Sequence, residues 1–475
     1  MRRRAPRVGL VVDHPKRDLA GLVLLARALA MRGVDAYLIP LYEQAVDVPL
    51  LGLDALVLNY ARPVNFEISR DFARSGIALY VLDTEGGVLA DDGPNTPHKL
   101  AAYMAESGYA GLLAGYFFWG PVLRDAFAAA GVLPAEQLHL TGCPRFDYAA
   151  PAMRALLPAR RTGHFLVNTN FPIINSRFAA GGEDREALLS VGIGADTVER
   201  LIAETRAVMT GLIGTVRRLA ADFPGQDFLL RPHPFEQEAV YREAFADRPN
   251  VIVDGAGSVL EALNGARALL HVNCGTAIDA ILLGVPPFAL EFLNRDYLRS
   301  HASLPSRASL RVDDYAALTA LVGGDLPAFD AAAQHAAFAE PWFHLNDAGA
   351  AGRVADALAA DLGRSNGAGG RVSIRRSLAA SRPHPSLGQR AQSLLANLAG
   401  SLASSRLRMA GQPRRREKSF RREDIDRLLS QLDVGEPAPL RAGRARHPLT
   451  KAPLASLVIR ARGSRTDRTT GNNPA

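Results

Sequence analysis

The first 142 residues alternate between short apolar runs and stretches with helical spacing. Between residues 17 and 32, four leucines recur every three or four positions, and Gly33 suits the residue that follows a helix. Apolar runs bounded by turn residues predict six strands, at 7–13, 36–40, 55–59, 77–83, 111–119 and 137–142. Strands that alternate with helices indicate a largely parallel sheet covered on both faces.

The alternation breaks at 149–162, which carries two prolines and three arginines, and then resumes. The second part predicts a strand at 164–170, a long helix at 196–222, and four strands at 227–234, 251–254, 268–273 and 286–290. We therefore predict two doubly wound, Rossmann-like α/β domains that face a cleft, followed by a tail. The predicted bounds are 1–148 for the first domain, 149–162 for a linker, 163–348 for the second domain, 349–365 for a closing helix and 366–475 for the tail.

Charge is distributed unevenly between the two domains and the tail. The chain has 55 Lys and Arg against 48 Asp and Glu, with a pI near 9.6. Residues 371–475 hold 22 basic and 7 acidic side chains, whereas residues 1–370 hold 33 basic and 41 acidic ones. The tail is rich in Ser, Pro and Gly and poor in aromatics, which predicts a largely disordered segment with weak helical patterns at 389–402 and 423–432.

The composition also bears on location and partners. The basic tail suits attachment to an anionic membrane surface or an acidic partner, while its lack of stacking aromatics predicts no specific nucleic-acid binding. No run approaches the length of a membrane span, the apolar stretch 8–12 is too short for a signal peptide, and two cysteines fit a reducing compartment. We expect a cytoplasmic protein. Peripheral attachment to the inner face of the cytoplasmic membrane is a further option. We assign the excess positive charge to location rather than chemistry.

In doubly wound sheets ligands bind beyond the carboxyl ends of the strands, so polar residues there are the candidate site. Arg231 and His233 follow the apolar run 228–230, and flanking prolines fix the backbone that presents the imidazole. An arginine and a histidine at this place suit the phosphates of a donor molecule. The alternative is a capped strand with a structural histidine.

A second group follows the predicted strand 268–273. Asn273, Gly275 and Thr276 stand where a helix begins, and exposed N–H groups there suit an anion; the alternative is that Asn273 or Thr276 caps the helix. Asp279, one turn later, suits a ribose or sugar hydroxyl, or is a first-turn acid that matches the helix dipole. The sequence contains no Walker or G-x-G-x-x-G loop and no convincing metal motif.

The first domain supplies the candidates for a general base. They are His14, after the first strand, and Asp83 and Glu85, after the fourth. The alternative is a polar turn and a helix cap at each position.

Several segments resemble a known group of proteins. The segment 141–147, TGCPRFD, resembles the TGNPRFD segment of bacterial surface-carbohydrate biosynthesis proteins, with Cys143 where asparagine is usual. Asn168 and Asn170 lie in NTNF, which resembles that group's strand end at the cleft, and 347–358 resembles its closing helix. The His-Pro and strand–Gly-Thr–helix features are similar to those of CDP-glycerol glycerophosphotransferases, capsule polysaccharide transferases and non-hydrolysing UDP-N-acetylglucosamine 2-epimerases. The turn 273–276 departs from the glycerophosphotransferase pattern.

The resemblance implies the GT-B fold and a nucleotide-sugar or CDP-alcohol donor held mainly by the second domain, with a carbohydrate or lipid-linked acceptor on the first. His233 would lie near the donor phosphates. The implied function is a glycosyltransferase-like enzyme of surface polysaccharide biosynthesis that transfers a glycosyl or glycerophosphoryl-like group. The alternatives are a nucleotide-sugar epimerase on the same fold and a non-catalytic binding or scaffold protein. No bound cofactor is expected, because the nucleotide-activated donor is a substrate. No metal is expected either, because the sequence has no convincing metal motif.

Overall fold

The structure is a computed structural model that describes residues 4–86, 96–158, 161–179, 181–190, 194–301, 303–343, 345–364, 370–380, 413–433 and 440–461. Two sheets form its frame. The strands are β1 (Arg7–Val12), β2 (Asp35–Pro40), β3 (Ala55–Leu58), β4 (Ala78–Leu82), β5 (Leu113–Phe118), β6 (Leu138–Leu140), β7 (Phe165–Asn168), β8 (Phe228–Arg231), β9 (Val251–Val253), β10 (Ala268–His271), β11 (Pro287–Leu290), β12 (Leu310–Val312), β13 (Ala442–Arg446) and β14 (Pro453–Ile459). Every strand predicted from the sequence is present, and β12, β13 and β14 are additional.

Helices cover both sheets. They are α1 (Ala20–Met31), α2 (Gln44–Leu51), α3 (Phe66–Arg74), α4 (Pro97–Glu106), α5 (Pro121–Ala129), α6 (Pro151–Arg154), α7 (Arg185–Ser190), α8 (Ala195–Asp222), α9 (Glu238–Ala244), α10 (Val259–Leu263), α11 (Thr276–Leu282), α12 (Asp296–His301), α13 (Leu304–Arg307), α14 (Tyr315–Gly323), α15 (Ala331–Gln334), α16 (Glu340–Phe343), α17 (Ala350–Arg364), α18 (Ile374–Ala380), α19 (Pro413–Glu417) and α20 (Arg422–Leu432). The predicted helices at 17–32, 196–222 and 423–432 are confirmed as α1, α8 and α20, and the pattern at 389–402 lies outside the described residues. Within the described residues, no helix is both long and apolar enough to cross a membrane.

The strand orders are those of two doubly wound sheets. The first runs β13-β14-β2-β1-β3-β4-β5-β6 and the second β12-β11-β10-β7-β8-β9, and every pairing among β1–β12 is parallel. The strands read as continuous apolar runs because helices cover both faces of each sheet. Helix α17 packs back against α1 of the first domain. Two Rossmann-like domains that face one cleft are the GT-B architecture, as predicted.

The tail differs from the expectation in its described segments, which pack on the first domain. Strand β14 pairs antiparallel with β2 and extends the first sheet, α18 packs on α2, and α20 packs on α1. The physical reason is apolar burial, since Leu457, Val458 and Ile459 are at most 1 % exposed. The buried carboxylate of Asp47 accepts hydrogen bonds from the backbone N–H and hydroxyl of Ser456 at 2.8 and 2.7 Å. These segments are therefore part of the folded domain.

Candidate functional site

A cavity of about 530 Å³ lies between the carboxyl ends of the two sheets. The Lys16 ammonium, after β1, donates to the Gly255 carbonyl, after β9, at 2.9 Å and so joins the two domains at this cavity. Seven of the residues selected from the sequence line it: His14, Glu85, Asn168, Arg231, His233, Thr276 and Asp279. The other four, Asp83, Asn170, Asn273 and Gly275, do not line it.

His14 is the second residue after the end of β1 and is 4 % exposed. Its Nδ1 accepts the backbone N–H of Lys16 at 3.3 Å, while its buried Nε2 has no hydrogen-bond partner among the described residues. Burial, followed by the charges of Arg17 and Lys418, lowers the pKa of His14 to about 4. The ring is therefore neutral at pH 7. Because Nδ1 is an acceptor, the proton of the neutral ring resides on Nε2.

His233 has the same arrangement on the opposite domain. Its Nδ1 accepts the backbone N–H of Phe235 at 3.2 Å, and the backbone N–H of His233 donates to the Thr169 hydroxyl at 3.1 Å. Burial, followed by the charges of His14, Arg17 and Arg231, lowers its pKa to about 4. Both histidine rings pack edge-on against Phe235, at centroid distances of 5.7 Å for His14 and 5.4 Å for His233. Two neutral imidazoles, one from each domain, thus flank one phenyl ring at the cavity.

Arg231 is 6 % exposed and serves the local fold as well as the cavity. Its guanidinium donates to the carbonyls of Ala256 and Gly257, both at 2.7 Å. These bonds hold the loop after β9 beneath the cavity. The guanidinium also lines the cavity and brings a positive charge to its wall.

Asn168, at the end of β7, donates to the Thr276 hydroxyl at 2.7 Å, so adjacent strand ends are connected side by side. The buried Oδ1 of Asn168 has no partner among the described residues. Asn273 instead turns away: it adopts a left-handed φ of 50° and its amide donates to the Leu298 carbonyl at 2.9 Å. Gly275 precedes α11 without lining the cavity. Thr276 is therefore the member of this turn that reaches the cavity.

Asp279 and Arg145 face the cavity from the two domains, and neither side chain forms an ion pair among the described residues. Burial raises the pKa of Asp279 to about 6, and the charge of Arg145 partly opposes that rise. Arg145 lies over the rings of Trp119 and Phe146, at 5.1 and 4.4 Å from their centroids, and its buried Nε has no partner. The backbone approaches α1 closely here, since a Cβ on Gly21 would lie 2.5 Å from the Arg145 nitrogen. Arg145 is thus a fixed cation that the sequence reasoning did not assign to the site.

The two remaining base candidates differ in accessibility. Asp83 is 1 % exposed, pairs with Arg62 at 2.8 Å and accepts the Tyr116 hydroxyl at 3.3 Å, so its carboxylate is already engaged away from the main cavity. Glu85 lines the cavity with a side chain that is 71 % exposed, and its carboxylate lies 3.6 Å from the Arg17 guanidinium.

Asn170 is exposed and points away from the cavity wall, so its neighbour Thr169 is the residue that supports the site. The Thr169 hydroxyl donates to the buried Glu236 carboxylate at 3.0 Å, and Glu236 also accepts the Phe171 N–H at 2.7 Å. This network fixes the loop that carries His233. The motif NTNF pointed to the right segment, but alternation along a strand end does not indicate which side chain faces the ligand.

The tail contributes residues that the sequence reasoning did not place here. Lys418, Arg427, Leu428 and Gln431 line the cavity. The Lys418 ammonium donates to the Asp13 carboxylate at 2.6 Å, which Arg17 also contacts at 2.5 Å. Burial would raise the pKa of Asp13, but these two cations outweigh it and lower that pKa. No signal local to the tail predicts these contacts, because Lys418 lies 405 positions after Asp13 in the sequence.

Fold and site together define a two-domain α/β protein of GT-B architecture with a cationic cavity between its domains. No protein-family model matches the sequence, and no curated protein matches it. Solved structures that resemble it include a UDP-N-acetylglucosamine 2-epimerase, at 13 % identity and a TM-score of 0.48 over 77 % of this chain and 98 % of the other. The UDP-GlcNAc 2-epimerase of Methanocaldococcus jannaschii in complex with UDP-GlcNAc and UDP is 11 % identical, with a TM-score of 0.45 over 74 % of this chain and 99 % of the other. The wall teichoic acid polymerase TagF is 13 % identical, with a TM-score of 0.40 over 66 % of this chain and 74 % of the other. The fold is assigned from the strand order and the cleft rather than from these likenesses.

Proposed function

We propose that the protein is a GT-B-type transferase that moves a glycosyl or glycerophosphoryl-like group from a nucleotide-activated donor to a carbohydrate or lipid-linked acceptor. The observation that supports this most directly is the pair His14 and His233. They come from different domains, pack against the same phenyl ring and line one cavity with cations around it. A cleft between two domains suits a reaction between two substrates.

The two imidazoles act as hydrogen-bond donors in this proposal. Each Nδ1 accepts a backbone N–H, so each neutral ring carries its proton on Nε2. A neutral donor in a desolvated cavity stabilises negative charge that develops on the leaving phosphate oxygen. His14, which the sequence offered as a base, is therefore better suited to donate a hydrogen bond than to remove a proton.

A carboxylate then has to take the proton of the acceptor hydroxyl. The hydroxyl oxygen forms a bond to the transferred group, the bond from that group to the nucleotide phosphate breaks, and the hydroxyl proton passes to the base. Glu85 lines the cavity from the first domain, where the acceptor would bind, and its exposed carboxylate has room to move. Asp279, with a pKa raised to about 6 by burial, is a second group able to exchange a proton near neutral pH.

The test is a transfer assay in which full-length protein meets a panel of nucleotide sugars and CDP-alcohols, with and without carbohydrate acceptors. Acceptor-dependent release of the nucleotide is the expected result. His233→Ala should lower turnover by about 10²–10³-fold, as the loss of one donor to a developing oxyanion does. His98→Ala is the matched control, since His98 is exposed on α4 and outside the cavity.

Other outcomes separate the alternatives. Isotope exchange at the sugar C2 without an acceptor would show that the protein is an epimerase rather than a transferase. Nucleotide binding without any product would indicate a binding protein. Full activity of His233→Ala in a folded protein would refute the assignment of the site.

A further inference from the structure

The segment 413–433, here called the cleft segment, forms one wall of the cavity although it belongs to the basic tail. It contributes Lys418 together with Arg427, Leu428 and Gln431 of α20. These side chains face the loops that carry His14, Arg231 and His233. The cavity is therefore bounded by three parts of the chain rather than by two domains alone.

The cleft segment is anchored to both domains. On the first domain, Ile425 and Leu429 are fully buried where α20 packs on α1, and Asp433 pairs with Arg27 at 2.5 Å. On the second domain, Glu417 pairs with Arg177 at 2.8 Å. Fixed side chains bind with a smaller loss of conformational freedom than mobile ones. This anchoring fixes the backbone at Lys418 and Arg427 beside the cavity, and the contact with Asp13 at 2.6 Å also fixes the Lys418 ammonium.

The cleft segment determines the sign of the net charge of the side chains that line the cavity. Among the described residues, six basic side chains line the cavity, and two of them, Lys418 and Arg427, come from this segment. Four acidic side chains of the described residues line it: Asp13, Glu85, Glu261 and Asp279. Without the cleft segment the two numbers would be equal, and with it the cavity has an excess of two positive charges. Such an excess favours an anionic ligand, and a nearby low-dielectric wall strengthens the effect.

The two cations occupy different positions. The Lys418 side chain is 13 % exposed, and its ammonium lies 5.5 Å from the Phe235 ring centroid, beside the two histidines. Arg427 lines the cavity with an exposed side chain, and its guanidinium has no hydrogen bond or ion pair among the described residues. One cation is thus largely buried beside the two histidines and the other is exposed to solvent, and two cations that line one cavity suit a ligand with two phosphate groups.

We propose that the cleft segment is part of the substrate site and that Lys418 and Arg427 bind the phosphates of a pyrophosphate-containing substrate. This inference rests on the proposed function for the identity of the substrate as a nucleotide-activated donor. It assigns a binding role to a segment that follows both Rossmann-like units in the sequence and packs on the first of them.

The experiment is calorimetric titration of the full-length protein with inorganic pyrophosphate, UDP and CDP. Arg427→Gln should weaken the binding of all three probes by about tenfold or more, the usual effect of losing a hydrogen bond to a charged group. Lys418→Gln should weaken it similarly, and Lys418→Arg, which keeps the charge, should restore part of the affinity. The loss should shrink at high salt.

Arg416→Gln is the matched control, because Arg416 is exposed on the same segment and does not line the cavity; its affinities should stay within about twofold of wild type. The exposed position of Arg427 makes Arg427→Gln decisive if Lys418→Gln lowers the melting temperature. Wild-type affinity in a folded Arg427→Gln would overturn the inference and leave the proposed function intact. If the wild-type protein bound none of the probes, both the binding role of the cleft segment and the proposed function would be refuted.

Discussion

The tail can be tested as a structural element through one leucine. Leu429 on α20 is fully buried where that helix packs against α1. If α20 folds together with the first domain, Leu429→Ala removes buried methyl groups and leaves a cavity in the core of that domain. If the tail were a separate appendage, the same change would not affect the unfolding of the domain.

The expected magnitude follows from the burial. A fully buried leucine replaced by alanine costs about 2–5 kcal/mol. For a cooperative unit of roughly 150–250 residues, each kcal/mol lowers the melting temperature by about 2–4 °C. Leu429→Ala should therefore lower the midpoint by roughly 4–20 °C. Calorimetry and circular dichroism of the full-length chain measure that midpoint.

Leu449→Ala provides the matched control, since Leu449 lies in the turn between β13 and β14 and is 70 % exposed. The same substitution at that position should change the midpoint by no more than about 1 °C, as surface changes do. Equal midpoints for Leu429→Ala and Leu449→Ala would refute the conclusion that α20 belongs to the cooperative core of the first domain.

Two further predictions concern the site. The pKa of Asp279 is raised to about 6 in the folded protein, against 3.8 ordinarily, so the wild-type free energy of unfolding should fall by up to about 3 kcal/mol as pH rises through that window. Asp279→Asn has no carboxyl to titrate and should not lose this stability. The melting temperature of the variant minus that of the wild type should therefore be larger near pH 7 than near pH 4. A difference that does not change with pH would contradict the raised pKa of Asp279. Gly21→Ala would place a Cβ 2.5 Å from the Arg145 nitrogen, so it should lower both the melting temperature and the affinity for UDP. Gly214→Ala, on an open part of α8, should lower neither, and equal behaviour of the two variants would show that the close approach is unimportant.

The sequence predicted the two parallel sheets because their signal is local. An apolar run bounded by turn residues identifies a strand wherever helices cover both of its faces, and β1–β11 all have that form. The same logic led to the strand ends, and therefore to His14 and His233. These two residues could be selected without knowing which other chain segments lie beside them.

The ion pairs, hydrogen bonds and orientation of each selected side chain could not be predicted, because they depend on residues that are distant in the sequence. Asp83 occupies a strand end as expected, yet Arg62 from another loop pairs with it at 2.8 Å. Asn273 stands at the right turn, but its amide bonds to Leu298 and its side chain leaves the cavity wall. Neither partner follows from spacing along the chain.

The tail shows the opposite case, in which a local signal existed but composition concealed it. Residues 452–459 are apolar except for Ser456 and lie between Lys451 and Arg460, which is a strand pattern, and 453–459 form β14. The surrounding Arg, Ser and Pro residues favoured the prediction of a largely disordered tail. A window of seven residues would have separated β14 from its surroundings, whereas the average over a hundred residues did not.

The uneven charge of the chain acquires a different meaning once these contacts are known. The tail has a surplus of basic residues and the rest of the chain a surplus of acidic ones, and the structure pairs them across that division. Lys418 contacts Asp13 at 2.6 Å and Arg460 contacts Asp35 at 3.4 Å, with both carboxylates at most 10 % exposed. Breaking a pair of this kind leaves a buried charge without a partner, which costs far more than the loss of a surface pair. The positive charge of these tail segments therefore neutralises acids of the first domain and makes the cavity cationic, so location cannot be its only role.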